Sequence, residues 1–170
     1  MKSIDRLLPN FSKNPWFWAI AIGGLIIDQI SKLLVIKTFP EVGVSYPLWE
    51  GVFHFTYVVN DGAAFSAFSG GVVWLRWLSL LVSLILIVMG WISPTMDRLE
   101  QISYGFILAG ASGNGIDRFL FGFVVDFIHV KLINFPVFNL ADVFINCGIG
   151  VILIGIFFPH NFIGGRKQIK

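Results

Sequence analysis

Val72-Val-Trp-Leu-Arg-Trp-Leu-Ser-Leu-Leu-Val-Ser-Leu-Ile-Leu-Ile-Val-Met-Gly-Trp-Ile92 contains a single charge, Arg76, near its start. A helix of about 20 apolar residues crosses the hydrocarbon core of a bilayer, and this run has that length and nothing in it that suggests chemistry. Three other runs, at about 16–36, 102–121 and 139–158, are also long and apolar enough. The whole chain of 170 residues is 56% apolar and 13% charged, with a mean hydropathy of +0.80. Soluble domains carry about 25% charged residues. The pattern predicts a membrane α-helical fold with four transmembrane helices. Too little sequence remains for a further soluble domain, so residues 1–170 are expected to form one integral membrane domain. There is no internal repeat or low-complexity segment, and nothing suggests nucleic-acid or nucleotide binding.

Charge placement orients the spans. Lys2, Arg6 and Lys13 precede the first, Arg98 lies between the second and third, and Arg166, Lys167 and Lys170 follow the fourth. The 37–71 connection holds Lys37 with Glu41, Glu50 and Asp61. Cytoplasmic loops carry the excess of Lys and Arg, so both termini are expected in the cytoplasm. Trp16, Trp18, Trp49, Trp74, Trp77 and Trp91 fall at span ends, where interfacial aromatics belong. The N-terminal run contains Asp28 and Lys32, is long, and lacks a small-residue cleavage site; it reads as a retained anchor. Cys147, the single cysteine, reads as an apolar packing residue of the fourth span.

In the outer connection, Phe53, Phe55, Tyr57 and Val59 alternate with Val52, His54, Thr56 and Val58, the period of a strand. Asn60-Asp61-Gly62 reads as a turn, and the small residues of Ala63-Ala64-Phe65-Ser66 permit close backbone approach. A small extracytoplasmic β-sheet over about 41–66 is the expectation; it could receive an extended peptide by strand addition, or be a plain loop.

The ionisable residues inside these spans carry the chemistry. Charges are costly there and normally face the bundle interior. Asp28 and Lys32 lie on one helical face and can pair as an architectural clamp. The third span contains Ala109-Gly-Ala-Ser-Gly-Asn-Gly-Ile-Asp-Arg118. Its small residues suit close helix packing, which leaves Asn114, Asp117 and Arg118 unexplained. Arg118 suits the role of a clamp for a substrate carbonyl or for one of the acids. The stretch Gly122–Val143 adds Asp126, flanked by Val125 and Phe127, and Asp142, flanked by Ala141 and Val143. Desolvation raises a carboxyl pKa, and two such carboxyls brought together share a proton, as in an aspartic protease. The plainer reading is that both acids mark the water-facing ends of helices. Asn139 with Asp142 three residues on resembles a capping box, and a helix N-terminus favours the ionised acid. Topology nevertheless sends Asp28, Asn60, Asn114, Asp117, Arg118, Asp126 and Asp142 to the outer half of the membrane, which favours one site.

Three other chemistries compete. Gly110-Ala-Ser-Gly113 matches the Gly-x-Ser-Gly pattern of rhomboid-type serine proteases, but a serine needs a nearby base, and His54, His129 and His160 lie outside the span interiors. Asp126, His129 and Asp142 could hold a metal but lack a recognised ligand spacing. A small channel or transporter would use its polar residues to line a pathway; four short spans leave little room for one.

Asp28-x-x-Ser-Lys32, Asn60-x-Gly-Ala-Ala-Phe-Ser66, Gly113-Asn-x-Ile-Asp-Arg118, Val124-Val-Asp-Phe127 and Phe138-Asn-Leu-Ala-Asp-Val143 together resemble, in order, the motifs of the bacterial lipoprotein signal peptidases, signal peptidase II. The resemblance implies a four-span aspartic endopeptidase of the inner membrane with a small extracytoplasmic sheet, cleaving a prolipoprotein before its diacylglyceryl-modified cysteine. It implies Asp126 and Asp142 as catalytic residues, Asn60, Asn114, Arg118 and Asn139 as substrate-binding residues, and Asp28 and Lys32 as support for the fold. Asp117 is expected to join that support through a partner the sequence does not identify. No metal or cofactor is implied. The partners are the lipidated substrate and membrane lipid, the chain is expected to be a monomer, and the family is the target of globomycin. Asp61 stands where threonine is usual, and Ser112 and Gly115 replace larger apolar residues.

Overall fold

The computed structural model describes residues 13–62 and 72–158. Lys2, Arg6, Ala63–Ser66, His160, Arg166, Lys167 and Lys170 lie outside the described residues. Four long helices follow the four apolar runs closely: α1 Pro15–Thr38, α2 Val72–Ile92, α3 Arg98–Leu120 and α4 Leu140–Phe157. Their ends have local causes. Pro15 occupies the first turn of α1, where its missing N–H costs nothing. Asp97 with Glu100 and Asn139 with Asp142 form complete capping boxes at the starts of α3 and α4.

Among the described residues, α1, α2 and α4 are long and apolar enough to cross a membrane. They expose Ile22, Ile26, Leu33, Val73, Leu81, Ile85, Leu153 and Ile156 outward. The more polar α3 is not among them, and packing explains why. It runs through the centre, against α1, α2 and α4, with Gln101, Ser103, Asn114, Asp117 and Arg118 all buried. A helix wrapped by its neighbours does not need an apolar perimeter. Its small residues let those neighbours close in. A Cβ on Gly110 would collide with the Ala141 carbonyl of α4, and one on Gly113 with the Asp28 carboxylate of α1.

The sheet has three antiparallel strands in the order β1 Ser45–Trp49, β2 Phe53–Asn60 and β3 Val124–Val130. Two fall in the expected 41–66 region; the third comes from the connection between α3 and α4. Asp126 therefore sits on a strand and not at a helix end. The β2–β3 pairing is irregular between Phe55 and Val58 and ends with Val58 opposite Asp126 and Asn60 opposite Val124. Bulges of this kind re-aim side chains. Val125 and Phe127 pack with Val35 and Tyr57 in a core that fastens the sheet to the far end of α1. Strand alternation turns Val124 and Asp126 the other way. A second core of Phe17, Ala21, Leu86 and Leu108 holds the opposite end of the bundle.

Candidate active site

The site is built where α3 ends, α4 begins and β2 meets β3. Asn139 starts it. As the N-cap of α4, its Oδ1 accepts the Asp142 N–H at 3.1 Å, while its own N–H donates to Asp142 Oδ2 at 3.1 Å. Its Nδ2 is left over, and donates to Asp126 Oδ1 at 2.6 Å and to Asn114 Oδ1 at 3.1 Å. One fully buried side chain thus ties both aspartates together. Asn60 and Asp126 are diagonal neighbours across β2 and β3, and Asn60 Nδ2 donates to Asp126 Oδ2 at 2.9 Å. The Asn60 Oδ1 accepts the Gly62 N–H at 3.0 Å, the Asx turn expected for this tripeptide. From α3, Asn114 Nδ2 donates to Asp142 Oδ1 at 2.7 Å.

Behind these amides lies an ion cluster. Lys32 Nζ is 3.0 Å from Asp28 Oδ2 and 2.9 Å from Asp117 Oδ2, and donates to Asn114 Oδ1 at 3.0 Å. All three ionisable groups are almost fully buried. The two acids also bond to the backbone: Asp28 Oδ1 accepts the Ala141 N–H at 2.9 Å, and Asp117 Oδ2, the oxygen paired with Lys32, accepts the Val125 N–H at 3.2 Å. These two bonds anchor the segments that carry Asp142 and Asp126. Gln29 adds donors to Asp28 and Asp117. The clamp expected between Asp28 and Lys32 is therefore a triad, and Lys32 is the partner of Asp117.

Asp126, Asp142, Asn60, Asn114 and Arg118 line one cavity of about 500 Å³, walled otherwise by residues such as Val124, Phe135, Phe138 and Val143. Burial, reinforced by the charge of Asp142, pushes the Asp126 carboxyl up to about 7 despite the amide donors on both its oxygens. Arg118 donates to the Gly62 carbonyl at 3.3 Å and to Ser79 Oγ at 3.4 Å, and forms no ion pair with a described carboxylate. Such an arrangement can exchange one proton between two acids while a guanidinium faces the same space.

The match to known proteins follows from these residues. Residues 20–158 match the family model of signal peptidase (SPase) II. The chain belongs to the signal peptidase II family. A lipoprotein signal peptidase of Microcystis aeruginosa is 63% identical over 150 residues, 88% of this chain and 96% of that protein. One of Synechocystis sp. is 61% identical over 150 residues, covering 88% and 92%. A solved bacterial membrane enzyme is similar with a TM-score of 0.75 and 29% identity, over 89% of this chain and 92% of that one. As a signal peptidase II, the chain is a bacterial inner-membrane protease of lipoprotein processing, which removes signal peptides from prolipoproteins.

Within this signal peptidase II fold, the expected site residues divide by position. Five reach the cavity; Asn139 is fully buried. Asp28, Lys32 and Asp117 stand behind Asn114. The competing residues are elsewhere. Ser112 Oγ bonds to Ser83 on α2, and His129 Nδ1 is 3.0 Å from Thr56 within the sheet. No three His, Cys, Asp or Glu residues cluster for a metal among the described residues. Sequence reasoning missed Ser79, which holds Arg118, and Asn146, which lines the cavity below Asp142. Asn146 carried a usable signal: an amide alone in the apolar run of α4.

Proposed function

We propose that this chain is an aspartic endopeptidase that cuts a prolipoprotein just before its diacylglyceryl-modified cysteine, with Asp126 and Asp142 as the acid–base pair. The observation that carries the reading is that both carboxylates face one cavity and are bonded to one buried residue, Asn139, Asp126 through its side-chain amide and Asp142 through its backbone N–H. The proton of the pair rests on Asp126, whose carboxyl is pushed up to about 7. The charge rests on Asp142, in the first turn of α4, where the helix N-terminus favours an anion. Asp142 takes a proton from a water between the two acids while the proton on Asp126 polarises the scissile carbonyl. The water oxygen adds to that carbonyl carbon. Asp142 then returns its proton to the departing nitrogen. Asn60 and Asn139 orient Asp126, Asn114 orients Asp142, and Arg118 binds a substrate carbonyl near Gly62. The triad of Asp28, Lys32 and Asp117 holds α1, α3 and the two acid-bearing segments in register.

In this reading α3 is the fourth membrane span, shielded from lipid by the other three. Lys13 and Arg98 mark the cytoplasmic end, the cavity opens near the outer face, and both termini are cytoplasmic. The 170 residues act as one monomeric domain in contact with membrane lipid. Neither a metal nor a covalent intermediate is needed.

The test is purified protein in detergent with lipidated and unlipidated forms of one prolipoprotein, before and after EDTA. Cleavage of the lipidated form alone, with diacylglyceryl-cysteine at the new N-terminus and no effect of EDTA, is expected. Loss on EDTA treatment with recovery on adding zinc would replace the acid pair by a metal site.

A further inference from the structure

The cavity continues below the carboxylates. Its wall follows α4 through Asp142, Val143, Asn146 and Cys147, the stripe that one helical face presents. At 1.5 Å per residue, Asn146 lies about 6 Å beyond Asp142 along the helix. It is exposed, and it is the one carboxamide in α4, all other residues after Asp142 being apolar, glycine or Cys147. A polar side chain at this depth is unfavourable unless it is used. Its use inside the protein is slight. Nδ2 donates to the Asp142 carbonyl at 2.8 Å, a carbonyl that in an α-helix already receives the Asn146 backbone N–H. Oδ1 receives no donor among the described residues. An acceptor and a second N–H are left to the cavity.

We propose that Asn146 binds a backbone peptide group of the signal peptide about two residues on the N-terminal side of the scissile bond. This rests on the reading above, in which the scissile bond lies at Asp126 and Asp142 and the cavity opens near the outer face, so that the signal segment follows the cavity wall along α4. An extended chain advances about 3.3 Å per residue, so 6 Å corresponds to about two residues. A carboxamide matches a peptide group, accepting its N–H and donating to its C=O. Inside a helix those groups are already spent, so the bound segment is unwound at this point. Recognition is of backbone, whatever the side chain there.

Asn146→Leu removes the amide and leaves an apolar residue that lipid tolerates, so the fold survives. The substrate is a synthetic diacylglyceryl-modified prolipoprotein peptide. A second version carries a backbone ester in place of the amide two residues before the scissile bond, deleting that N–H. With the amide peptide, N146L is expected to raise KM about five- to tenfold, with kcat and the pH profile unchanged, as for loss of uniform binding. The ester is expected to raise KM in the parent and to add nothing in N146L. Cys147 gives a readout free of turnover, because it is exposed beside Asn146 and is the only thiol of the chain. A peptide with a reduced scissile bond should slow maleimide labelling of Cys147 in the parent and in Asp142→Asn, and at the same concentration fail to do so in N146L. An unchanged KM in N146L overturns the proposal. So does a fall in kcat with a displaced pH profile, which would mean action through Asp142, or an ester penalty undiminished in N146L. Failure of the underlying reading looks different: Asp126→Asn or Asp142→Asn would then cleave at the parental rate, whatever N146L does.

Discussion

Asn14 and Asn139 are both fully buried asparagines at the N-cap position of a helix, and they stand at opposite ends of the bundle. Asn14 spends its side chain on backbone. Its Oδ1 accepts the Met96 N–H at 2.9 Å and its Nδ2 donates to the Gly90 carbonyl at 3.3 Å. Gln101 beside it does likewise, donating to the Met96 carbonyl and accepting the Trp16 N–H. Every partner is neutral, and the knot joins α1, α2 and α3. Asn139 divides its side chain between its own helix and the carboxylate of Asp126. Around it the amides of Asn60 and Asn114 also bond to acids, and those acids face a cavity. Asn14 and Asn139 share one residue type and one degree of burial. What separates scaffold from site is whether acceptor capacity and charge are left over once the backbone is satisfied.

That contrast is broken most sharply by removing the acids. Asp126→Asn and Asp142→Asn keep shape and hydrogen-bonding capacity, and each should lower turnover by about 10²–10⁴-fold while the variant stays folded in detergent. A variant that is inactive only because it unfolds would return both residues to the role of scaffold. Lys32→Met comes next. It leaves Asp28 and Asp117 buried without their cation, and breaking a buried pair costs about 3–5 kcal/mol, so folded yield and melting temperature should fall together. Asn14→Leu should be milder for activity, not for stability. It orphans the Met96 N–H and the Gly90 carbonyl at about 1–3 kcal/mol for each unsatisfied group, yet specific activity per folded molecule should be unchanged. Altered KM or kcat there would mean that the two ends are coupled.

A pH dependence of stability tests the proton itself. The Asp126 carboxyl is pushed up from 3.8 to about 7 in the folded chain. Between those values the folded protein holds a proton that the unfolded chain has released, so stability falls as pH rises through that window. Asp126→Asn has no such proton. Its melting temperature relative to the parent should therefore rise from about pH 4 to pH 7 and level off above. A difference that is flat with pH would place the proton elsewhere.

The helices were legible in the sequence because length, apolarity and caps are local properties. The run read as 72–92 is α2 without change, and the Asn139–Asp142 capping box is present as expected. β3 was not legible. Its first four residues are buried on both faces, so the alternation that betrayed β2 is absent, and an aspartate in their midst argues against a strand. The acids themselves could be named because apolar neighbours make a carboxylate conspicuous. Their supports could not be assigned, because pairing between helices depends on which faces meet. Adjacent Asp117 and Arg118 had to diverge, but only the packing of α1 on α3 reveals that Asp117 turns to Lys32 while Arg118 turns to Gly62 and Ser79.

The most direct measurement of a shared proton held on Asp126 is infrared difference spectroscopy of the parent, Asp126→Asn and Asp142→Asn across pH. The expected result is a protonated-carboxyl band in the parent that disappears on titration near pH 7 and is missing in Asp126→Asn at every pH. A band that persists in Asp126→Asn and is lost in Asp142→Asn would contradict the assignment, and its absence from the parent throughout would contradict the shared proton itself.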